Sequence, residues 1–321
     1  SEFVGTDSAI GEFERASLRP TTLASTDFNF DGFPDVISGF AGTNGGVITL
    51  HKGWKEAFSP ENEQVLAGIR NGEFPVSFEK EAQVLEVPVT PDFIFTGNFL
   101  KNSPLDIVVG SRSSNAVYIF SSDRKGGFNA PMNLELDGEN SAIADDRFDV
   151  TKHFTGIVFG MKSGELVIFD GNRALDNSKP RKISVGTEIN SLVLASADGT
   201  TADRDLFILS DGEMSRISQI GRQNQNPAKL QFPFRVNEFA VGEFIRDRRS
   251  KAEIAVLAEN GSIYYLQNGT LDTRAFTENE MRAHFAKYGR GTKILLDSTD
   301  QENSLADHWS VAEEHNLGIY E

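Results

Sequence analysis

Oxygen-bearing side chains recur at alternate positions in one short segment, residues 27–35, which reads DFNFDGFPD. Alternate residues of a tightly turning loop point their side chains at a common centre, and Ca²⁺ takes roughly 6–8 oxygen ligands. A glycine at the sixth position permits the sharp turn that a residue with a Cβ would resist. The spacing therefore predicts one calcium loop with these ligands: Asp27, Asn29, Asp31, the carbonyl of Phe33, and Asp35.

This loop differs from an EF-hand. An EF-hand has a bidentate Glu at position 12 and a helix on each side, whereas position 12 here is Ser38 and residues 35–39 read as a short strand. The alternative is an ordinary turn that binds no ion, because Asp, Asn and Gly favour turns by themselves. If calcium binds, its expected role is structural, since the loop supplies the ligands and binding adds to folding stability.

The calcium loop introduces the first of six similar units. Each unit has an acidic or small residue, a short apolar run, a turn and a second apolar run, and successive units start 71, 50, 49, 48 and 54 residues apart. A period of about 50 residues with short strands and no long helical pattern is typical of β-propeller blades. The predicted repeat cores lie near residues 35–50, 106–120, 156–169, 205–217, 253–265 and 307–320.

These motifs resemble the FG-GAP or VCBS repeat family, the propeller repeats of integrin α-subunit heads and of many secreted bacterial proteins. The resemblance rests on the calcium loop with its following strand and on a Gly-x-Phe turn before a fourth strand, best seen in GGFNAP at 126–131. Partial copies of that turn stand at 72–74 and 11–13. The resemblance implies an all-β propeller of four-stranded antiparallel blades, a structural Ca²⁺, and an extracellular, cell-surface or periplasmic location.

The blade count follows from the repeat cores and the two ends of the chain. The chain starts with the apolar pair Phe3 and Val4 and reads as a fourth strand near residues 14–18, while residues 317–320 read as a third strand with none after it. We expect the two terminal segments to close one blade together, because closure removes exposed sheet edges. The sequence thus predicts a single domain over residues 1–321 with six blades, and seven is the alternative because integrin-like members usually have seven.

Two insertions interrupt the period. Residues 55–91 lengthen the first unit and contain an expected outer strand at 83–87. In the second insertion, Thr277 and Glu280 form a capping-box pattern that predicts a helix through about Tyr288, near residues 277–288. We expect this helix to cover a gap or one face of the propeller.

The remaining loops depart from the calcium pattern. The second unit has Asn98, Leu100 and Asn102 where the first has ligands, so one carboxylate, Asp106, replaces three. The acidic stretch at 297–307 has irregular spacing, and the sequence leaves open whether it binds a second metal ion. The basic run at 246–251 is expected to be a solvated loop. Asp145 and Asp146, which are neighbours in the sequence, are expected to lie in a solvated turn.

Groups with catalytic spacing are scarce. None of the five histidines stands in a metal-ligand pattern, and no nucleophile elbow or phosphate-binding glycine loop is present. We therefore expect no catalytic residues and a non-catalytic binding module, whose ligand is a protein or a cell-surface glycan. The alternatives are a polysaccharide lyase or hydrolase, which would need carboxylates, Tyr or His at the propeller axis, and a lectin, which would need repeated aromatic platforms.

The composition of the chain argues against several classes of partner and site. The chain has 321 residues, no cysteine and a formal charge of −16. This negative charge argues against binding to nucleic acid, and the lack of cysteine excludes disulfides and cysteine-based metal or redox sites. No apolar run approaches the roughly 18 residues of a membrane-spanning helix, so no membrane insertion is expected.

Overall fold

The computed structural model is an all-β propeller built from successive antiparallel sheets. It describes residues 2–14, 18–43, 45–112, 114–123, 127–148, 151–197, 203–222, 226–245, 248, 251–269, 272, 274–288 and 309–316. Within these residues there are five sheets, four with four strands and one with five. Among the described residues, none of the helices combines the length and the apolar character of a membrane-spanning segment.

The first sheet has an additional strand and carries most of the helices. Its strands are β1 (Glu2–Gly5), β2 (Arg19–Thr26), β3 (Asp35–Gly42), β4 (Gly45–Gly53) and β5 (Phe78–Val87). Helix α1 (Asp7–Glu14) follows β1, while α2 (Lys55–Phe58) and α3 (Glu63–Arg70) lie between β4 and β5. The outer strand expected at 83–87 is confirmed, and it begins earlier than predicted.

The next three sheets each take four consecutive strands in antiparallel order. The second has β6 (Phe93–Gly97), β7 (Asp106–Gly110), β8 (Ala116–Ser121) and β9 (Met132–Glu135). The third has β10 (Asn140–Asp146), β11 (Gly156–Met161), β12 (Glu165–Phe169) and β13 (Arg181–Ser184), with a short 3₁₀ helix at Leu175–Asn177. The fourth has β14 (Ile189–Ala195), β15 (Asp205–Ser210), β16 (Glu213–Ile217) and β17 (Ala228–Leu230).

The fifth sheet is the last one in the described residues, where six blades were predicted. Its strands are β18 (Val236–Gly242), β19 (Glu253–Ala258), β20 (Ser262–Asn268) and β21 (Trp309–Asn316), with α4 (Glu278–Tyr288) between the last two. Residues 309–316, the described part of the segment expected as a sixth core at 307–320, form the outer strand of this sheet and pair antiparallel with β20. It was misread because a fourth strand separated from its sheet by a long insertion resembles the start of a new unit.

In the described residues, the strands nearest the two ends of the chain belong to different sheets, and the segment at 317–320 expected to share a blade with the first residues lies outside the described residues. Strand β1 pairs parallel with β5 at the outside of the first sheet, whereas β21 belongs to the fifth. Of the fourth strand expected near residues 14–18, residues 15–17 lie outside the described residues, residue 14 ends α1 and residue 18 precedes β2. Phe3 and Phe13 pack with their ring centroids 4.5 Å apart, so this terminal segment covers one face of the first sheet.

Apolar layers between neighbouring sheets hold the propeller together. The four largest buried clusters each combine side chains from two consecutive sheets. The second strands β7, β11 and β15 are buried along their whole length. Strands covered on both faces need continuous apolar runs, which explains the sequences DIVVG, GIVFGM and DLFILS.

Glycine allows the closest approach between sheets. Gly39, Gly110 and Gly160 occupy the fifth position of β3, β7 and β11, respectively. A Cβ at Gly160 would lie 2.6 Å from Cγ2 and 3.0 Å from Cβ of Ile189 on the first strand of the next sheet. The same position in the fifth sheet is Leu257, whose side chain is 37% exposed.

We expect Gly160→Ala to destabilise the protein by about 1–3 kcal/mol, because the added methyl group overpacks the layer between the third and fourth sheets. Denaturant unfolding measures this free energy. Gly138→Ala is the matched control, since its nearest neighbour would be the flexible end of Met161 at 3.7 Å. Equal stability of the two variants would contradict the close approach.

Candidate metal loop and interaction surface

The predicted calcium loop connects β2 to β3 and folds back on itself through its own side chains. Oδ1 of Asp27 accepts a hydrogen bond from the backbone N–H of Asp31 at 3.1 Å, and its Oδ2 accepts one from Gly32 at 2.9 Å. Oδ1 of Asp31 accepts the N–H of Phe33 at 2.9 Å. Gly32 has φ of +90°, the left-handed conformation for which the sequence required a glycine.

Asp35 ends this loop and is fully buried. Its Oδ2 accepts the N–H of Phe28 at 2.7 Å, and its Oδ1 accepts the N–H of Gly53 at 2.8 Å. Burial raises the pKa of the Asp35 carboxyl, and the nearby negative charges of Asp31 and Asp27 raise it further. Three carboxylates thus lie close enough to repel one another.

A buried carboxylate that accepts backbone N–H groups, as Asp35 does, is called a carboxylate clamp here. The same clamp recurs in sheets that lack the calcium motif. Asp106 accepts the N–H groups of Phe99 and Leu100 at 2.8 and 2.7 Å. Glu253 accepts those of Phe244 and Ile245 at 2.8 and 2.9 Å. A carboxylate at the start of the second strand is therefore part of the architecture of the propeller, independent of any metal.

The fourth sheet uses a charged variant of this clamp. Asp205 accepts the N–H of Gln219 at 2.8 Å and forms an ion pair with Arg216 at 3.0 Å. In the third sheet Gly156 replaces the carboxylate, and a Cβ there would lie 2.6 Å from the ring of Phe148. The sequence had shown these acidic residues as the first residue of each repeat, but sequence reasoning had assigned a site role only to Asp35.

The donor types of the loop suit Ca²⁺, a hard cation that prefers carboxylate, amide and carbonyl oxygens. As arranged here, however, the side-chain oxygens of Asp27, Asn29 and Asp31 accept hydrogen bonds from the loop backbone. Within the described residues, no group of three or more acidic or histidine side chains is placed to hold a metal ion. Calcium binding would thus require these side chains to turn from backbone N–H groups towards the ion.

The other candidate loops have structural partners where they are described. Asn98, the counterpart of Asp27 in the second sheet, donates its side-chain amide to the carbonyl of His153 at 3.4 Å in the loop before β11 of the third sheet. From the basic run at 246–251, Arg248 is buried, pairs with Glu280 of α4 and stacks 4.6 Å from the ring of Phe276. The expectation of a solvated loop is therefore wrong for Arg248.

The acidic stretch at 297–307 lies outside the described residues.

Helix α4 begins as the capping box predicts. Oγ1 of Thr277 accepts the N–H of Glu280 at 3.3 Å, while the Glu280 carboxylate accepts the N–H of Thr277 at 2.7 Å. Glu280 therefore has two roles, since it caps the helix and neutralises the buried guanidinium of Arg248.

Asp145 and Asp146 lie at the end of β10 and are not part of a solvated turn. Asp146 pairs with Arg204 at 2.5 Å and so connects the third and fourth sheets. Burial, with a smaller effect from the charge of Asp146, raises the pKa of Asp145 to about 7.

An exposed apolar surface lies in the insertion of the first sheet, between β4 and β5. Its most exposed large side chains are Phe74, Val76 and Phe58, which are 80%, 71% and 47% accessible to solvent. Val76 also lines a groove of about 920 Å³, whose lining residues are Trp54, Val76, Ser77, Phe78, Glu79, Lys80 and Glu81. The insertion had been recognised in the sequence, but no binding role had been assigned to it.

The insertion rests directly on the predicted calcium loop. The rings of Phe33 and Phe58 stack with centroids 5.7 Å apart. Gly53, whose N–H is held by Asp35, precedes Trp54, and the N–H of Trp54 donates to the carbonyl of Ser77 at 3.0 Å. The loop and the groove are thus joined by one short path of contacts.

No protein-family model and no curated protein sequence match this chain. The FG-GAP resemblance therefore stays a prediction. Two similar solved structures are crystals of BBS1N in complex with ARL6DN, soaked with lead or with mercury. The lead-soaked structure is 12% identical over 80% of this chain and 87% of that chain, with a TM-score of 0.42. The mercury-soaked structure is 11% identical over 78% and 86%, with a TM-score of 0.41. Scores this low support no inference about function.

We expect Asp106→Ala to lower the free energy of unfolding by about 2–4 kcal/mol, because two backbone N–H groups lose their buried acceptor. Asp106→Asn keeps an acceptor oxygen and removes a carboxylate whose pKa burial has raised, so it should be less destabilising by about 2 kcal/mol. Urea unfolding of both variants at pH 7 measures the difference. Equal losses would show that the hydrogen bonds do not stabilise the loop.

We also expect a pH dependence from Asp145. Its pKa is raised in the folded state to about 7, so the native protein holds this proton more tightly than the unfolded chain does. The contribution of protonated Asp145 to the free energy of unfolding is therefore fully present at low pH and is lost as the pH rises from about 4 to about 7.

Asp145→Asn should remove that loss and raise Tm by roughly 5 °C at pH 8, with a smaller change at pH 5. Thermal unfolding at the two pH values tests this, with the exposed Glu135→Gln as the control. A shift that is the same at both pH values would contradict the assignment.

Proposed function

We propose that this propeller is a non-catalytic module that binds a protein partner through the insertion of its first sheet. The observation that carries this proposal is the exposure of Phe58, Phe74 and Val76 in one insertion, of which Val76 lines an open groove. Contiguous exposed apolar side chains next to a groove are typical of interaction sites, whereas single exposed ones are common anywhere. Loops and insertions on a rigid scaffold are also where binding residues concentrate.

We further propose that one Ca²⁺ stabilises the first sheet, held by Asp27, Asn29, Asp31, the Phe33 carbonyl and Asp35. The proximity of Asp27 and Asp31 to the buried Asp35 supports this, because a cation would relieve their mutual repulsion. Calcium is abundant outside cells, so the same proposal favours an extracellular, cell-surface or periplasmic location. A glycan ligand remains the alternative to a protein partner.

A displayed peptide library tests the binding role. Panning against the immobilised protein should enrich peptides whose binding is weakened at least tenfold by Phe74→Ser with Val76→Ser. Leu23→Ser is the matched control, because Leu23 is an exposed apolar residue of β2. Absence of enriched peptides, equal binding by the double variant, or turnover of a polysaccharide by the pure protein would contradict the proposal.

For calcium, we expect millimolar Ca²⁺ added after EDTA to raise Tm, because a ligand at about 100 times its Kd adds about 2.7 kcal/mol to stability. Asp31→Ala should abolish the rise. Asp170→Ala, which alters an acidic turn in the third sheet, should keep it. An unchanged Tm of the wild-type protein would leave the loop as a turn only.

Fluorescence adds a local measurement. With Trp309→Phe in place, Trp54 is the remaining tryptophan, and it reports on the groove that contacts the loop through Gly53. Ca²⁺ should change its emission, and Asp31→Ala should remove that change.

A further inference from the structure

The outer edge of β5 is only partly paired. Strand β1 pairs with it from Glu2 opposite Glu81 to Gly5 opposite Val84. On the other side, β4 already pairs with β5, including Gly53 opposite Phe78. Within the described residues, the part of the outer edge at 78–80 therefore has no neighbouring strand. Unpaired strand edges are templates for an added strand.

The groove borders this same part of β5. Its lining residues run without interruption from Val76 to Glu81, and Trp54 adds an aromatic wall. A peptide in extended conformation that pairs with residues 78–80 would lie along this groove and near the exposed side chains of Phe74 and Val76. Peptides bound in this way gain affinity from backbone hydrogen bonds and specificity from pockets for alternate side chains.

The charge of the edge indicates which peptide it fits. Glu79 and Glu81 are exposed, and neither has an ion pair or side-chain hydrogen bond to another described residue. Lys80, in contrast, is neutralised by Glu2 at 2.5 Å. Residues two apart in a strand point to the same face, so the two free carboxylates form one acidic pair.

We propose that the partner of this module is an extended peptide segment that carries both apolar and basic residues and pairs with the outer edge of β5. Its Lys or Arg side chains contact Glu79 and Glu81, and its apolar side chains contact Trp54, Phe74 and Val76. This inference rests on the proposed binding function and names the chemistry of the partner.

Labelled decapeptides test the proposal by fluorescence anisotropy with the intact protein. The probes alternate valine with lysine, valine with glutamate, or serine with lysine. We expect the valine–lysine peptide to bind at least tenfold more tightly than each of the others. Methylation of its backbone nitrogens at alternate residues should weaken binding at least tenfold, because strand pairing requires those N–H groups.

Charge reversal provides the decisive comparison. The double variant Glu79→Lys and Glu81→Lys should prefer the valine–glutamate peptide, while Glu135→Lys, a change at an exposed carboxylate on β9, should keep the preference of the wild-type protein. Circular dichroism checks that each variant is folded. The proposal is overturned if the double variant keeps the wild-type preference, if the serine–lysine peptide binds equally well, or if N-methylation has no effect.

The two proposals fail in different ways. Library peptides that depend on Phe74 and Val76 but lack basic residues would retain the binding function and exclude the acidic edge. A library with no peptide that depends on those side chains would exclude the groove altogether.

Discussion

A buried carboxylate that binds backbone N–H groups is the interaction on which the other features of this propeller depend. In four of the five described sheets an Asp or Glu begins an inner strand (β3, β7, β15 or β19) and accepts N–H groups from the preceding loop. A buried N–H group without an acceptor lowers the stability of the folded state. The carboxylate supplies the acceptor for such groups in the loop before the strand. The carboxylate therefore fixes where each inner loop ends, and with it the register at which the next sheet packs. In the third sheet, Gly156 with the ring of Phe148 fills the same space without a charge.

The sequence predicted the fold class well because the signals involved are local. Apolar runs with turns at a spacing near 50 residues identify blades, and the first five cores lie in the first five sheets. The helix near residues 277–288 was predicted because a capping box depends on residues three apart. Both signals can be recognised in the sequence without knowing which segments pack against them.

Pairing between distant segments was predicted less well. The segment at 309–316 and the first strand of the chain both have strand-like patterns, but a pattern does not say which edge a strand joins. Insertion of α4 before Trp309 hid its connection to β20, and parallel addition of β1 to β5 left no pattern in sequence. The exposed groove was missed for a related reason, since the exposure of Phe74 and Val76 depends on what the rest of the chain fails to cover.

The clamp also bears on how a metal ion could act in the first sheet. Each oxygen of a carboxylate has two lone pairs, so Asp35 can accept the N–H groups of Phe28 and Gly53 and still face a cation. Asp27 and Asp31 instead use their oxygens on the loop backbone, and a cation must compete with those bonds. The free energy of cation binding would come from attraction to the three neighbouring carboxylates, one of which is buried. Because Gly53 leads directly into Trp54 and Phe33 stacks on Phe58, a shift of this loop would be transmitted to Trp54 in the wall of the groove and to the exposed Phe58 of the same insertion.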